Sequence, residues 1–356
     1  MPKFPGQMSD FLSHHRISLL ATANKANLLL TIGAQDGELG NTSYPIEQPT
    51  GLAIHQKQLA IGGKTAIIQY TNSQAALENL SESADALFLK RSIHFTGEIN
   101  IHDMAYASED GKRGQLWFVN TRFSCLATLD SAYSFVPRWQ PSWISTLDGT
   151  DRCHLNGLAM VEGKPKYVTA YSQTDSALGW KQGPQDQGVL VDVETNQVIA
   201  SGLSRPNSPR YHQGFIYLLE SGTARLLRVD PNSKEVTTVS QLTGFVRGLS
   251  LFGNYAVAGI STLRGSESAG IETSEKPPLQ SAVVAVVDLT DGAIAATVKF
   301  DEQVKEISDL LVLENTQQPL FREHDLKTES AFVVPDDLLL AFASSWEKSK
   351  PTNPKA

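Results

Sequence analysis

One short phrase recurs along this chain at intervals near fifty residues, and it constrains the fold more than any other feature. It begins with a polar residue, continues with glycine or another small or polar residue, and ends in an apolar run. The copies start at Thr50, His102, Asn156, Ser208, Arg247 and Ser308, with Ser208-Pro209-Arg210-Tyr211 the weakest. The starts lie 52, 54, 52, 39 and 61 residues apart. That is the length of a four-stranded blade with variable loops, and such a period marks a repeat architecture.

The segment after each phrase repeats too. After Arg247 come apolar runs over Tyr255–Ile260, Ala282–Leu289 and Ile294–Phe300, with the hairpin signal Asp291-Gly292 between the last two. After Ser208 the runs are Phe215–Leu219, Arg225–Val229 and Val236–Ser240. After Asn156 they are Lys166–Ala170, Gly188–Val193 and Gln197–Gly202. The two ends complement each other. Ser308–Glu314 is an inner strand with no outer strands after it. Ile17–Ala21, Asn27–Ile32 and Glu38–Ser43 are three strands with no inner strand before them. Joining them makes a sixth blade and leaves no exposed edge in the ring. The expected fold is therefore an all-β, six-bladed β-propeller over residues 1–321, its last blade closed by N-terminal strands on the C-terminal inner strand. A tail over 322–356 carries a short helix at Asp336–Lys348, and Ser73–Ser83 gives a second helical signal. A β-sandwich or an open solenoid are the alternatives. The polar segment Arg264–Gln280 reads as an insertion in blade five, either a lid or a solvated loop.

Composition bounds the function more than it identifies it. Hydrophobic residues at 41% and charged residues at 19% exclude a disordered chain. A net charge of −8 without any basic block argues against nucleic acid. No apolar run is long enough to span a membrane, and residues 1–15 lack the apolar core of a secretory leader, so a cytoplasmic protein is expected. Cys125 and Cys153 have neither zinc-site nor disulfide-framework spacing and read as small buried side chains. Phosphate-cradling glycine loops and nucleophile elbows are absent.

In a propeller the leading ends of the inner strands surround one mouth of the central channel. Superposing the copies brings Thr50, His102, Asn156, Ser208, Arg247 and Ser308 to equivalent places, with Gln48, Asn100, His154, Pro206, Phe245 and Glu306 two residues earlier. Asp103, Asn207, Arg210 and Asp309 lie beside them. Convergent polar groups in a concavity are a site hypothesis, against the plainer alternative that they only fill and close the ring. Two chemistries fit. His102, His154 and Glu306, helped by Asn156 or Asn207, could hold a divalent metal. Alternatively His102 or His154 acts as a general base while Arg247 or Arg210 stabilises negative charge, with Asp103 in the catalytic group. Thr50, Asn156, Asn207, Ser208 and Asp309 would then contact the ligand. Phe245 replaces an acid two residues before Arg247, so Arg247 is expected to await an anionic ligand group. The partner expected is a small organic molecule, with a lyase, hydrolase or isomerase as the reaction classes needing least machinery. The different reading is a scaffold that binds protein or peptide across one face. His14, His55, His94 and His324 read as surface residues and His212 as intermediate. Trp139, Trp143 and Trp180 read as turn packing.

Several segments together resemble a known family. They are Gly114–Thr121, Phe123–Leu129, Arg152–Met160, Ser208-Pro209-Arg210, Gly244–Leu249 and Glu306–Asp309, with Cys153-His154-Leu155-Asn156-Gly157 the most specific. They are similar to the bacterial family called domain of unknown function 4915, over about residues 17–321. The resemblance implies a propeller and supports His102, Asp103, His154, Asn156, Ser208, Arg210, Arg247, Glu306 and Asp309 as the positions of interest; it implies no reaction. The family pattern has a histidine where Asn207 stands here, which would reduce a three-histidine metal site to two histidines and an amide.

Overall fold

The computed structural model describes residues 6–78, 83–109, 112–262 and 279–322. Six sheets stand around one axis as the blades of a β-propeller. Blade one runs outward through Leu52–His55, Gln58–Gly62, Ala66–Asn72 and Ala86–Phe95. Blades two, three, four and five start at the inner strands Ile101–Glu109, Leu155–Val161, Pro206–His212 and Phe245–Phe252. Blade six is a hybrid. Asp309–Glu314 is its inner strand and pairs antiparallel with Ile17–Ala23, with Leu20 opposite Leu311. Leu28–Gln35 and Glu38–Pro45 complete it.

Two extra strands reinforce this closure. Gly6–Gln7 adds in parallel to the outer strand of blade five, Ile294–Lys299. Pro319–Arg322 adds in parallel to the outer strand of blade one, Ala86–Phe95. The two arms thus clasp the neighbours on either side of blade six. Between the first arm and Ile17 lies a helix, Met8–His15, absent from the sequence expectations. It is short, but Met8, Phe11 and Leu12 share one face and are buried between blades five and six. Of the segment expected to be helical at Ser73–Ser83, Gln74–Leu77 forms one turn, capped by the Ser73 hydroxyl, which accepts from the Ala76 amide at 3.3 Å. The helix expected at Asp336–Lys348 and nearly all of the segment 264–280 lie outside the described residues.

The core is divided among the blade interfaces. Apolar clusters join six to five, five to four, six to one, one to two, two to three and three to four. Near the axis, neighbouring inner strands alternate in kind. Blades one, three and five carry Gly51, Gly157 and Gly248, and the next blade presses against each. A Cβ on Gly157 would lie 2.1 Å from Pro209 Cδ, and one on Gly248 would lie 2.8 Å from Asp309 Cα. Blades two, four and six instead supply a side-chain oxygen. Asp103 accepts from the Leu158 amide at 3.0 Å, Ser208 from Gly248 at 3.1 Å, and Asp309 from Leu52 at 2.8 Å. These bonds satisfy amides that the inner edge of a sheet would otherwise bury unpaired. Among the described residues, no helix is long and apolar enough to cross a membrane.

Candidate functional site

The chain enters most of the inner strands through a tight bend. In blades one, two and three the residue two before the phrase is left-handed: Gln48 at φ 43°, Asn100 at 57° and His154 at 51°. A histidine held there costs about 1 kcal/mol or more, and residues in such conformations cluster at functional sites. The bends surround a cavity of about 700 Å³ at this mouth of the channel. Asn100, His154, Phe245 and Glu306, all from that position, line it together with His102 and Arg247.

The remaining sequence candidates lie elsewhere, so the expected single cluster is really two tiers. Asp103, Arg210 and Asp309 meet on the axis beneath the cavity. Arg210 donates to both oxygens of Asp103, at 2.8 and 3.2 Å, and approaches Asp309 Oδ1 at 3.5 Å. Burial alone would lower the Arg210 pKa, but the two carboxylates raise it above the usual value. Thr50, Asn156, Asn207 and Ser208 are buried and do not line the cavity. Asn207 Nδ2 donates to the Val246 carbonyl at 3.3 Å, and Ser208 ties blade four to blade five. Asn207 and Ser208 thus reach backbone groups of blade five, Thr50 Oγ1 donates to the Gly62 carbonyl of its own blade at 3.3 Å, and Asn156 Nδ2 is buried without a partner among the described residues. None of these four, nor Asp103, Arg210 or Asp309, lines the cavity.

At the mouth the two histidines differ. Their ring centroids are 5.0 Å apart, edge to face. An Arg247 Nη2 donates to His102 Nδ1 at 2.9 Å, and His102 Nε2 bonds Asn100 Oδ1 at 3.2 Å. Because a guanidinium can only donate, Nδ1 must be an acceptor and the His102 proton sits on Nε2. Burial, then the Arg247 charge, then His154 hold its pKa well below the histidine range, so the ring is neutral. His154 is set the other way round. Its Nδ1 donates to Asp151 Oδ2 at 2.8 Å, and Trp180 Nε1 donates to the same oxygen at 3.0 Å. The His154 ring lies 4.1 Å from the Trp180 ring and 4.5 Å from that of Tyr171. Its Nε2 meets no protein partner among the described residues and is not sealed from the cavity.

Two cations face the cavity without an acid. Among the described residues no carboxylate lies within 4.0 Å of Arg247 or Lys181, and Lys181 sits 5.1 Å over the Trp180 ring. The acids at the mouth are engaged: Asp151 by His154 and Trp180, and Glu306 by the Lys25 amide at 2.8 Å. A divalent metal on His102, His154 and Glu306 does not fit this arrangement. Both ring nitrogens of His102 are committed, to Arg247 and Asn100, and no metal-holding group of three His, Cys, Asp or Glu occurs among the described residues.

Sequence reasoning missed Asp151, Tyr171, Trp180 and Lys181. They belong to blade three: Asp151 just precedes the phrase, and the others come from the connection between Lys164–Ala170 and Gly188–Asp192. That connection is long for a hairpin, which was the available signal. Trp180, expected to pack a turn, faces the cavity instead, while Trp139 and Trp143 pack on the blade-three core. His14, His55, His94 and His212 lie away from the cavity, and His324 is outside the described residues.

The family described as Domain of unknown function (DUF4915) matches residues 6–321. No curated protein matches the chain. Among solved structures, one described as a nidogen/laminin complex is similar with a TM-score of 0.54 and 10% identity, over 84% of this chain and 98% of that one. A protein of unknown function from Bacteroides caccae is similar with a TM-score of 0.53 and 10% identity, over 83% and 98%. At such identity the likeness is one of fold.

Proposed function

The chain belongs to the DUF4915 family, and from that premise we propose that it binds a small organic anion in the channel-mouth cavity. The observation that carries this reading is Arg247. Its guanidinium lines the cavity, bonds a neutral histidine and has no carboxylate within ion-pairing distance among the described residues. A cation so placed is satisfied by a carboxylate supplied from outside. Lys181 adds a second positive charge, and Trp180, Tyr171 and Phe245 offer apolar surface to the body of the ligand. Arg210 shows the contrast, since its charge is already met by Asp103 and Asp309.

We also place the protein in the cytoplasm. Cys125 and Cys153 are both buried and free, which suits a reducing compartment.

The test is binding of small mono- and dicarboxylates, each paired with its neutral amide, by calorimetry. Carboxylates should bind and amides should not. Replacing Arg247 with Met should weaken carboxylate binding about tenfold or more while shifting the melting temperature little. A large loss of stability with unchanged affinity would make Arg247 structural and end this reading.

A further inference from the structure

The Asp151–His154 pair is more than an anion site needs. His154 is held in a left-handed bend, oriented through Nδ1 by a carboxylate that Trp180 also fixes, and presents Nε2 to the cavity. His102, beside it, has both ring nitrogens occupied and is neutral. One imidazole therefore carries an available lone pair, and the other positions a guanidinium.

From this division we infer that the cavity catalyses proton transfer at the carbon next to the carbonyl of a 2-oxo acid, with His154 as the base and Arg247 holding the carboxylate. The inference rests on the anion-site reading and names its substrate class. Nε2 takes a proton from C3 of the 2-oxo acid. The C–H electron pair moves into the C2–C3 bond, and the carbonyl pair moves to oxygen as an enolate. Reprotonation of C3 by the imidazolium closes the cycle, so atoms and charge balance without any co-reactant. Asp151 keeps the Nδ1 proton in place and stabilises the imidazolium while it exists. Arg247, one ring away across His102, faces the negative charge as it grows.

The ketone is required by the strength of the base. An imidazole is too weak to deprotonate carbon beside a bare carboxylate, and a neighbouring carbonyl brings that proton within reach.

The experiment follows deuterium entering C3 of 2-oxobutyrate and 2-oxo-4-phenylbutyrate in heavy water by proton NMR. Binding of each compound is measured separately by saturation transfer. The wild-type protein should speed exchange above the buffer rate. His154→Gln should lower the protein-dependent rate about 10²–10⁴-fold while binding persists. Asp151→Asn should lower it with binding likewise retained, which gives a second variant if the first fails to fold. Arg247→Met should lose binding and exchange together. Binding by the wild-type protein with exchange at the buffer rate would overturn this inference and leave the anion site standing. Binding of other carboxylates but neither 2-oxo acid would overturn the substrate class. Absence of all carboxylate binding would overturn both readings. Unchanged exchange in a folded His154→Gln variant would remove His154 as the base.

Discussion

At the axis three charged side chains meet in an unequal ratio, one guanidinium to two carboxylates. Burial, and after it the Asp103 charge, push the Asp309 carboxyl up to about 7 against the pull of Arg210 and the Leu52 and Leu310 amides. An aspartate in the unfolded chain titrates near 3.9. Between these values the folded chain holds a proton that the unfolded chain has released. Its contribution to stability therefore falls as pH rises from about 4 through about 7. Asp309→Asn should remove that fall. The variant loses an acceptor for one of two amides and should be less stable by about 1–3 kcal/mol. The difference in urea-unfolding free energy between variant and wild type, measured from about pH 5 to 8, should shrink as pH rises. A difference that stays constant or widens would show that Asp309 is ionised throughout.

Elements were legible in the sequence to different degrees. The repeat phrase carried the inner strands because it ends in an apolar run and its spacing matches a blade. The hybrid blade emerged from counting strands at the two ends. The Met8–His15 helix was missed because serine and histidine are modest helix formers, and only Met8, Phe11 and Leu12 mark its buried face. The site was half legible. Superposing phrases brought His102, His154, Arg247 and Glu306 to one mouth. It could not tell them from Asp103, Arg210 and Asp309 a tier below, because the register shift between Asn207 and Arg210 depends on pairing with Phe215–Glu220. Nor could it bring Trp180 across the mouth, since the path of a long connection is set by what it packs against. The helix itself makes a prediction. Phe11 is fully buried and meets Tyr255 edge to face at 4.9 Å. Phe11→Ala should cost about 3–5 kcal/mol in urea unfolding. A cost below about 1 kcal/mol would mean that the helix is an appendage.

The molecule as a whole is closed by segments from its two ends. Removing residues 1–44 would strip Asp309–Glu314 of its partner, bare one side of the clusters shared with blades five and one, and remove the Gly6–Gln7 arm. The truncated chain should lack a single cooperative transition in scanning calorimetry. A truncated chain that melts cooperatively at the parent temperature would contradict this closure.

The hybrid blade also imposes an order on biosynthesis. Ile17–Ala23 is largely apolar and wholly buried in the finished ring, and its partner Asp309–Glu314 is made nearly three hundred residues later. At about 5–20 residues per second, the wait between them is on the order of tens of seconds. During that interval a nascent chain displays an unpaired, sticky edge beside a growing row of blades. Until Asp309–Glu314 emerges from the ribosome, the ring can only be an open arc, and its first hairpin needs shelter from neighbouring polypeptides.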